Sequence, residues 1–273
     1  MPTSLASIPS PGVNAVEIGP LTIHFYGILI ATAVAVAVTI GRRRYIRFIG
    51  DVAMFDRVAF WTVLGGLVGA RLGFVITHSG QFEARPIRVF YVWEGGLTLA
   101  GMLIGGALTA LYLLDRYHGD GWAFLDALAV GLPVAQAIGR WGNYFNQELF
   151  GTPTDLPWGI EIDPENRPAD YLDAETFHPT FIYEVLWNLL IVVPTILFLE
   201  RRGRLSKGSA FCVYLILYGI GRFLTELLRT DTTFRILGLS RNAWGALGAI
   251  ALGAILLRRR QRLGIPQISA EAQ

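Results

Sequence analysis

The chain has 273 residues, 53% of them hydrophobic and only 16% charged, with a net charge of +2. A soluble domain carries about 25% charged residues, so this composition excludes an ordinary soluble fold, and no nucleic-acid partner is expected. One cysteine, Cys212, excludes an internal disulfide, and four histidines beside it make no credible metal cluster.

The predicted class is all-α: a polytopic integral membrane protein with about seven transmembrane helices. Residues 1–20 lack the basic start and apolar run of a cleavable signal peptide and are expected to form an extracytoplasmic N-terminal segment. Span 1 covers 21–40. Its stretch 28–40, ILIATAVAVAVTI, has no polar face, which a soluble amphipathic helix would need. His24 and Tyr26 open it. Span 2, 58–77, carries Arg71 between Gly69 and Gly73, where glycines allow close helix approach. Span 3, 92–114, begins with Glu94. Span 4, 122–139, contains Asp126 and Gln136 and runs into Gly139-Arg140-Trp141-Gly142-Asn143-Tyr144-Phe145-Asn146-Gln147-Glu148-Leu149-Phe150-Gly151. The outer loop 144–178 is acidic and too short for an independent domain. His178, Tyr183 and Glu184 lead into span 5, 180–199. Span 6, 208–228, holds Cys212, Arg222 and Glu226, with Arg229 just beyond. Span 7 is 242–257. Residues 21–258 thus form a seven-helix transmembrane domain, and 259–273 a tail beyond the last span.

The arginines orient these spans. Arg42, Arg43, Arg44, Arg47 and Arg57 follow span 1. Arg201, Arg202, Arg204 and Lys207 follow span 5, and Arg258, Arg259, Arg260 and Arg262 follow span 7. The positive-inside rule makes these segments cytoplasmic, with the N-terminus outside and the C-terminus inside. His24, Tyr26, Glu94, Arg140, Asn143, Glu148, His178, Glu184, Arg222 and Glu226 then all fall toward the outer half. Scattered structural polar residues have no cause to choose one leaflet.

Each candidate has a structural alternative. Arg222 and Glu226 are four apart and face each other on a helix, which suits an internal salt bridge. Arg140 has Gln136 four residues before it, so its partner is distant or a ligand, unless it snorkels to the interface. Arg71 is equally suited to structure and to lipid binding. Gly139, Gly142 and Gly151 follow no strand and make no nucleotide loop.

The 139–151 block, read as G-R-x-G-N-x-x-N-x-E-L-x-G, resembles the signature of the prolipoprotein diacylglyceryl transferase family. Five further segments are similar in the same order: Ile23–Gly27, Gly69–Gly73, Trp93–Leu97, His178–Glu184 and Tyr218–Arg229. The resemblance runs from about residue 20 to 260. It implies a bacterial inner-membrane enzyme with its active site toward the extracytoplasmic side. Such an enzyme transfers the diacylglyceryl group of phosphatidylglycerol to the lipobox cysteine of a prelipoprotein. It forms a thioether, releases glycerol 1-phosphate, and is expected to need no cofactor. Partners would be phosphatidylglycerol, the lipobox of the signal peptide and membrane lipids.

Arginine suits phosphate, because its planar fork binds two oxygens and stays charged. Arg140 and Arg222 are the candidates for that task. Glu148, Glu226 and His24 are all candidates for thiol activation, with Glu148 and Glu226 placed among the catalytic residues. Substrate contacts are expected from His24, Tyr26, Arg71, Asn143, Asn146, Gly151, Tyr183 and Glu184. One departure stands out. The family commonly has a histidine where this chain has Ala100, which cannot move a proton. Either that histidine is dispensable, or another base serves, or the chain is a diverged lipid-binding paralog without turnover. A transporter of an anionic solute would also want membrane arginines, but the repeats and interrupted helices of such folds are not evident.

The orientation is testable. A cysteine placed at Thr154 should react with an impermeant thiol reagent applied to intact cells, and one placed at Gln261 should not. The reverse pattern would invert the topology.

Overall fold

A computed structural model of the chain describes residues 7–19, 21–49, 51–230 and 235–263. The chain opens with an antiparallel hairpin of β1 (Ala15–Ile18) and β2 (Leu21–His24). Helix α1 (Phe25–Phe48) follows, then α2 (Val52–Thr77), α3 (Leu99–Arg116) and α4 (Gly121–Phe145). Two short strands, β3 (Ile160–Glu161) and β4 (Thr176–Phe177), pair within the following loop. Helix α5 (Thr180–Trp187) passes through a π-helical turn at Asn188–Val192 into α6 (Val193–Arg201). Helix α7 (Ser209–Glu226), the hairpin of β5 (Arg235–Ile236) and β6 (Leu239–Ser240), and α8 (Arg241–Leu263) complete the order.

The helical membrane class holds, with three local two-stranded sheets among the described residues. Among the described residues, six stretches are long and apolar enough to cross a membrane: α1, α2, α3, α4, Thr180–Arg201 and α7. The seventh predicted span lies within α8. That helix has the length, but Arg241 and the Arg258–Arg262 run dilute its apolarity, so seven is an approximate count. Two predicted boundaries move. Residues 21–24 pair with β1 rather than starting a helix. Residues 92–98 lie outside α3, because Gly95 and Gly96 take positive φ values of 83° and 73° and break the helical path.

The described residues cluster into two compact units, one of residues 45–124 and one of the remainder. In the 45–124 unit, α2 and α3 meet through glycines. A Cβ added at Gly69 would lie 2.8 Å from the Gly105 Cα and against the Gly101 carbonyl; one at Gly105 would lie 2.9 Å from the Gly69 Cα. Lipid offers no hydrophobic drive between helices, so such close backbone packing is what holds the pair. The outward face carries Phe60, Val68, Leu72, Ile76, Leu103, Leu108 and Leu111, all exposed as lipid contact requires. Arg71 is buried in this unit. Its guanidinium donates to the carbonyls of Arg88 at 2.5 Å, Val89 at 2.7 Å, Gly95 at 2.6 Å and Gly96 at 3.1 Å.

The larger unit is locked at one end by Arg44. It forks onto Glu200 at 2.5 and 2.9 Å and donates to the carbonyls of Asp126 and Ala127, joining α1, α4 and α6. Asp126 in turn accepts from the backbone N–H groups of Gly208 and Phe211, capping the start of α7. Helix α8 runs against α7, where Gly219 faces the Ala246 carbonyl and Gly253 the Cys212 carbonyl. Beyond the helices, Phe150, Ile160, Ile162, Phe177 and Phe181 bury one another beneath loop 146–179. The N-terminal segment is tied to that loop: Ile8 bridges Ile160, and Ser10 donates to Asp163 at 2.8 Å.

Substituting Gly69→Leu should therefore cost at least about 1–3 kcal/mol through overpacking. Gly248→Ala, where an added Cβ meets nothing within 4 Å, should be neutral. Thermal midpoints of the purified variants in detergent check this pair.

Candidate functional site

The site is built on three helix ends of the larger unit. Arg140 and Asn143 lie on the last turns of α4, Glu184 on α5, and Arg222, Thr225 and Glu226 on the last turns of α7. Glu184 is buried and sits between two guanidiniums. Its Oε2 takes Arg140 Nη2 at 2.5 Å, and its Oε1 takes Arg222 Nη1 at 3.1 Å and the Thr225 hydroxyl at 3.3 Å. Arg222 turns its Nη2 to Glu226 Oε2 at 2.5 Å, an ion contact without the alignment of a hydrogen bond. Glu226 Oε1 accepts from Ser240 at 2.6 Å and Asn242 at 3.2 Å, and Arg229 Nε stands 3.9 Å from Oε2. Leaving one member of such a buried set unpaired costs about 3–5 kcal/mol, so the carboxylates and guanidiniums specify one another's positions.

The signature block continues the site. Arg140 Nη1 donates to Asn143 Oδ1 at 3.3 Å. The amides of Asn143 and Asn146 both donate to Glu148 Oε1, at 3.0 and 3.1 Å. The chain leaves α4 tightly, with Glu148 N–H returning to the Asn143 carbonyl and with Gln147 and Leu149 at positive φ. Leu149 then accepts the Thr180 hydroxyl at 2.6 Å, joining the block to α5. Gly151 is where three segments meet. Its N–H donates to the His178 carbonyl, it bridges Arg229, and an added Cβ would lie 2.9 Å from both His178 Cβ and the Leu228 carbonyl. Tyr26 lays its ring on Gly142, again where a Cβ would not fit.

Of the residues predicted from the sequence, Arg140, Asn143, Glu184, Arg222 and Glu226 form one connected cluster. Asn146 and Glu148 extend it. Tyr26 and Gly151 flank it through packing. Three stand apart. His24 is exposed at the end of β2 and makes no side-chain hydrogen bond among the described residues. Tyr183 instead accepts from Trp158 at 3.0 Å and pairs with His178 Nδ1 at 3.0 Å. Arg71 belongs to the other unit, with its donors spent on carbonyls. Ala100 lies exposed in the first turn of α3. The sequence reading missed Thr225, Ser240 and Asn242. Thr225 could have been found from its place one turn beyond Arg222, but Ser240 and Asn242 reach Glu226 across a hairpin that no periodicity announces.

Gln147 anchors the outer loop. Its amide donates to Asp163 at 2.6 Å and accepts the Asp163 N–H at 2.8 Å. Hydrogen bonds from Gln147 and Ser10, helped by Arg167, hold the Asp163 carboxyl below its usual range. A lowered folded pKa means the contribution is complete above the unfolded value of about 3.9 and fades as pH falls through the folded one. The difference in thermal midpoint between the wild type and Asp163→Asn should thus be largest near neutral pH and shrink below about pH 4. A difference that grows in acid would contradict this anchor.

The sequence is similar to that of known proteins over most of its length. The family model described as prolipoprotein diacylglyceryl transferase matches residues 13–259. The phosphatidylglycerol–prolipoprotein diacylglyceryl transferase 2 of Streptomyces coelicolor is 43% identical over 254 residues, covering 92% of this chain and 80% of the relative. The corresponding transferase of Cutibacterium acnes is 43% identical over 267 residues, covering 94% and 89%. That of Synechococcus elongatus is 39% identical over 275 residues, covering 97% and 95%.

Proposed function

This chain belongs to the prolipoprotein diacylglyceryl transferase family, and from that premise we propose how its residues carry the transfer. The chain is a multi-pass membrane transferase that moves the diacylglyceryl group of phosphatidylglycerol to a prolipoprotein. The acceptor is the lipobox cysteine thiol. The enzyme lies in the bacterial inner membrane with the site toward the extracytoplasmic side, as the arginine bias between loops supports. The single observation that carries the residue assignment is the convergence of Arg140 and Arg222, from different helices, on the one buried carboxylate of Glu184.

The reaction forms a bond between the thiol sulfur and the glycerol carbon as that carbon's bond to the phosphate oxygen breaks. The electron pair leaves with glycerol 1-phosphate, so negative charge grows on the phosphate in the transition state. Arg140 and Arg222 meet that charge. Their forks are already oriented by Glu184, so little reorganisation is needed at the moment of reaction. Asn143 continues from Arg140 toward Glu148 and adds polar contacts at the same end of α4.

The thiol proton needs an acceptor, and the carboxylates differ in what they can still do. Both oxygens of Glu226 are engaged by Ser240, Asn242 and Arg222. Glu148 has both asparagine amides on Oε1, and its Oε2 accepts no hydrogen bond among the described residues. Among the described residues Glu148 Oε2 is thus the carboxylate oxygen of the cluster held by neither a hydrogen bond nor a guanidinium, and it takes the proton in this scheme. Neighbouring guanidinium charge also favours the thiolate. Such a scheme places no proton transfer on position 100, in keeping with the alanine there.

Arg140→Lys keeps the charge but loses the fork. A charge-assisted hydrogen bond is worth about 1.5–3 kcal/mol, so transfer from phosphatidylglycerol to a lipobox peptide should fall at least about tenfold. Wild-type turnover in that variant would overturn the role of the fork, and failure of Arg140→Lys to insert would favour a purely structural arginine.

A further inference from the structure

A small recess of about 10 Å³ lies one turn deeper than the arginine pair, lined by Glu184, Trp187, Asn188, Tyr218, Gly221 and Arg222. That volume suits one water molecule, which needs roughly 10–15 Å³ and two to four polar partners. The lining supplies them. Asn188 is 3% exposed, yet its amide makes no hydrogen bond among the described residues. The Tyr218 hydroxyl is likewise unpaired among them. Trp187 does not compete, because its Nε1 donates to the Leu217 carbonyl at 2.8 Å. Glu184 already receives Arg222 and Thr225 on Oε1 and Arg140 on Oε2, and a carboxylate has room for a fourth donor.

Local structure explains why the recess exists. The helix turns π-helical at Asn188, whose carbonyl accepts from Val193 five residues on. Such turns place side chains off the regular helical track and are frequent at functional sites. On the facing helix, Gly221 lets the Trp187 indole lie against the backbone; an added Cβ would be 2.8 Å from Trp187 Cγ. An amide, a hydroxyl and a carboxylate are thereby left around one water-sized space.

We propose that this recess is a single-water site, and that Asn188 and Tyr218 act through the water as positioning residues for Glu184. The water donates to the Glu184 carboxylate and uses its remaining capacity on the Asn188 amide and Tyr218 hydroxyl. It steadies the carboxylate from within the recess, beside Arg222. The positioning half of the proposal rests on the reading that Glu184 aligns two phosphate-binding arginines; the water site itself does not.

Two measurements on the purified full chain in phospholipid nanodiscs test it. X-ray footprinting generates hydroxyl radicals from bound water in place. Tyr218 should label readily in the wild type and about fivefold more slowly in Asn188→Leu, which keeps the branching of asparagine at Cγ but offers the water no partner. Transfer kcat should fall about tenfold or more in Asn188→Leu at an unchanged melting temperature, since small misplacements at a reacting centre cost this much. Asn188→Ser should retain labelling and kcat within about threefold, because it keeps a polar partner and leaves room for water. Tyr218→Phe, which removes only a hydroxyl, should lower kcat as Asn188→Leu does and serves if that variant does not fold. Equal labelling of Tyr218 in wild type and Asn188→Leu would overturn the water site. Wild-type kcat in Asn188→Leu and Tyr218→Phe, or equal loss in Asn188→Ser and Asn188→Leu, would overturn the positioning role. Absence of transfer even in the wild type, with Tyr218 labelling still dependent on Asn188, would overturn the functional reading and the positioning role and support the water site.

Discussion

A carboxylate among membrane helices is tolerable only when paired, and Glu184 meets that condition with two guanidiniums at once. Much of the larger unit's geometry follows from it. Arg140 must bring the end of α4 to α5, and Arg222 must bring the end of α7 to the same point. Once there, Arg222 has a second fork arm to satisfy, which Glu226 takes; Glu226 then requires donors, which Ser240 and Asn242 supply from the hairpin and the start of α8. An electrostatic requirement at one residue thus propagates through four helices. The opposite end of the unit uses the same physics on a smaller scale, where Arg44 and Glu200 pair under the Asp126 cap.

The 139–151 block serves the site and its surroundings together. Its polar side chains point back along α4 through the Arg140–Asn143–Glu148 chain. Its unusual backbone, with Gln147 and Leu149 at positive φ, turns the chain sharply enough to present Gln147 to Asp163 and Leu149 to Thr180. Non-glycine residues in that region are strained and persist only when their surroundings hold them. Here both neighbours are held by hydrogen bonds to distant segments. The outer loop is therefore fastened to the same block of residues that carries part of the candidate chemistry.

How much of this was legible depended on the kind of force involved. Apolar runs of bilayer length announce helices without any partner, so the spans at 58–77, 122–139, 180–199 and 208–228 are found close to where they stand. Charges such as Arg140 and Arg222 stand out because apolar surroundings make them costly. The partner of a charge is another matter. Helical spacing pairs Arg222 with Glu226, which is correct but partial, and nothing local points to Glu184, since the link crosses from α7 to α5. Arg71 shows the converse difficulty. Its setting between glycines reads equally as site or scaffold, and only the four carbonyls around its guanidinium reveal what occupies it. The strand at 21–24 was invisible as such because Leu21, Thr22 and Ile23 suit strand and membrane helix alike.

The balance of the cluster bears on what happens after the reaction. Arg140, Arg222 and Arg229 stand against Glu148, Glu184 and Glu226, so the vacated site carries as many negative as positive groups. An enzyme that held bare arginines in hydrocarbon would bind an anionic product more tightly with every charge it added, and its turnover would stall at release. On the proposed reading, with Glu184 already seated between the two forks, departure of glycerol 1-phosphate returns each guanidinium to an internal partner rather than exposing it to lipid. On that reading, the carboxylate that orients the arginines also limits how strongly they can retain what they have made.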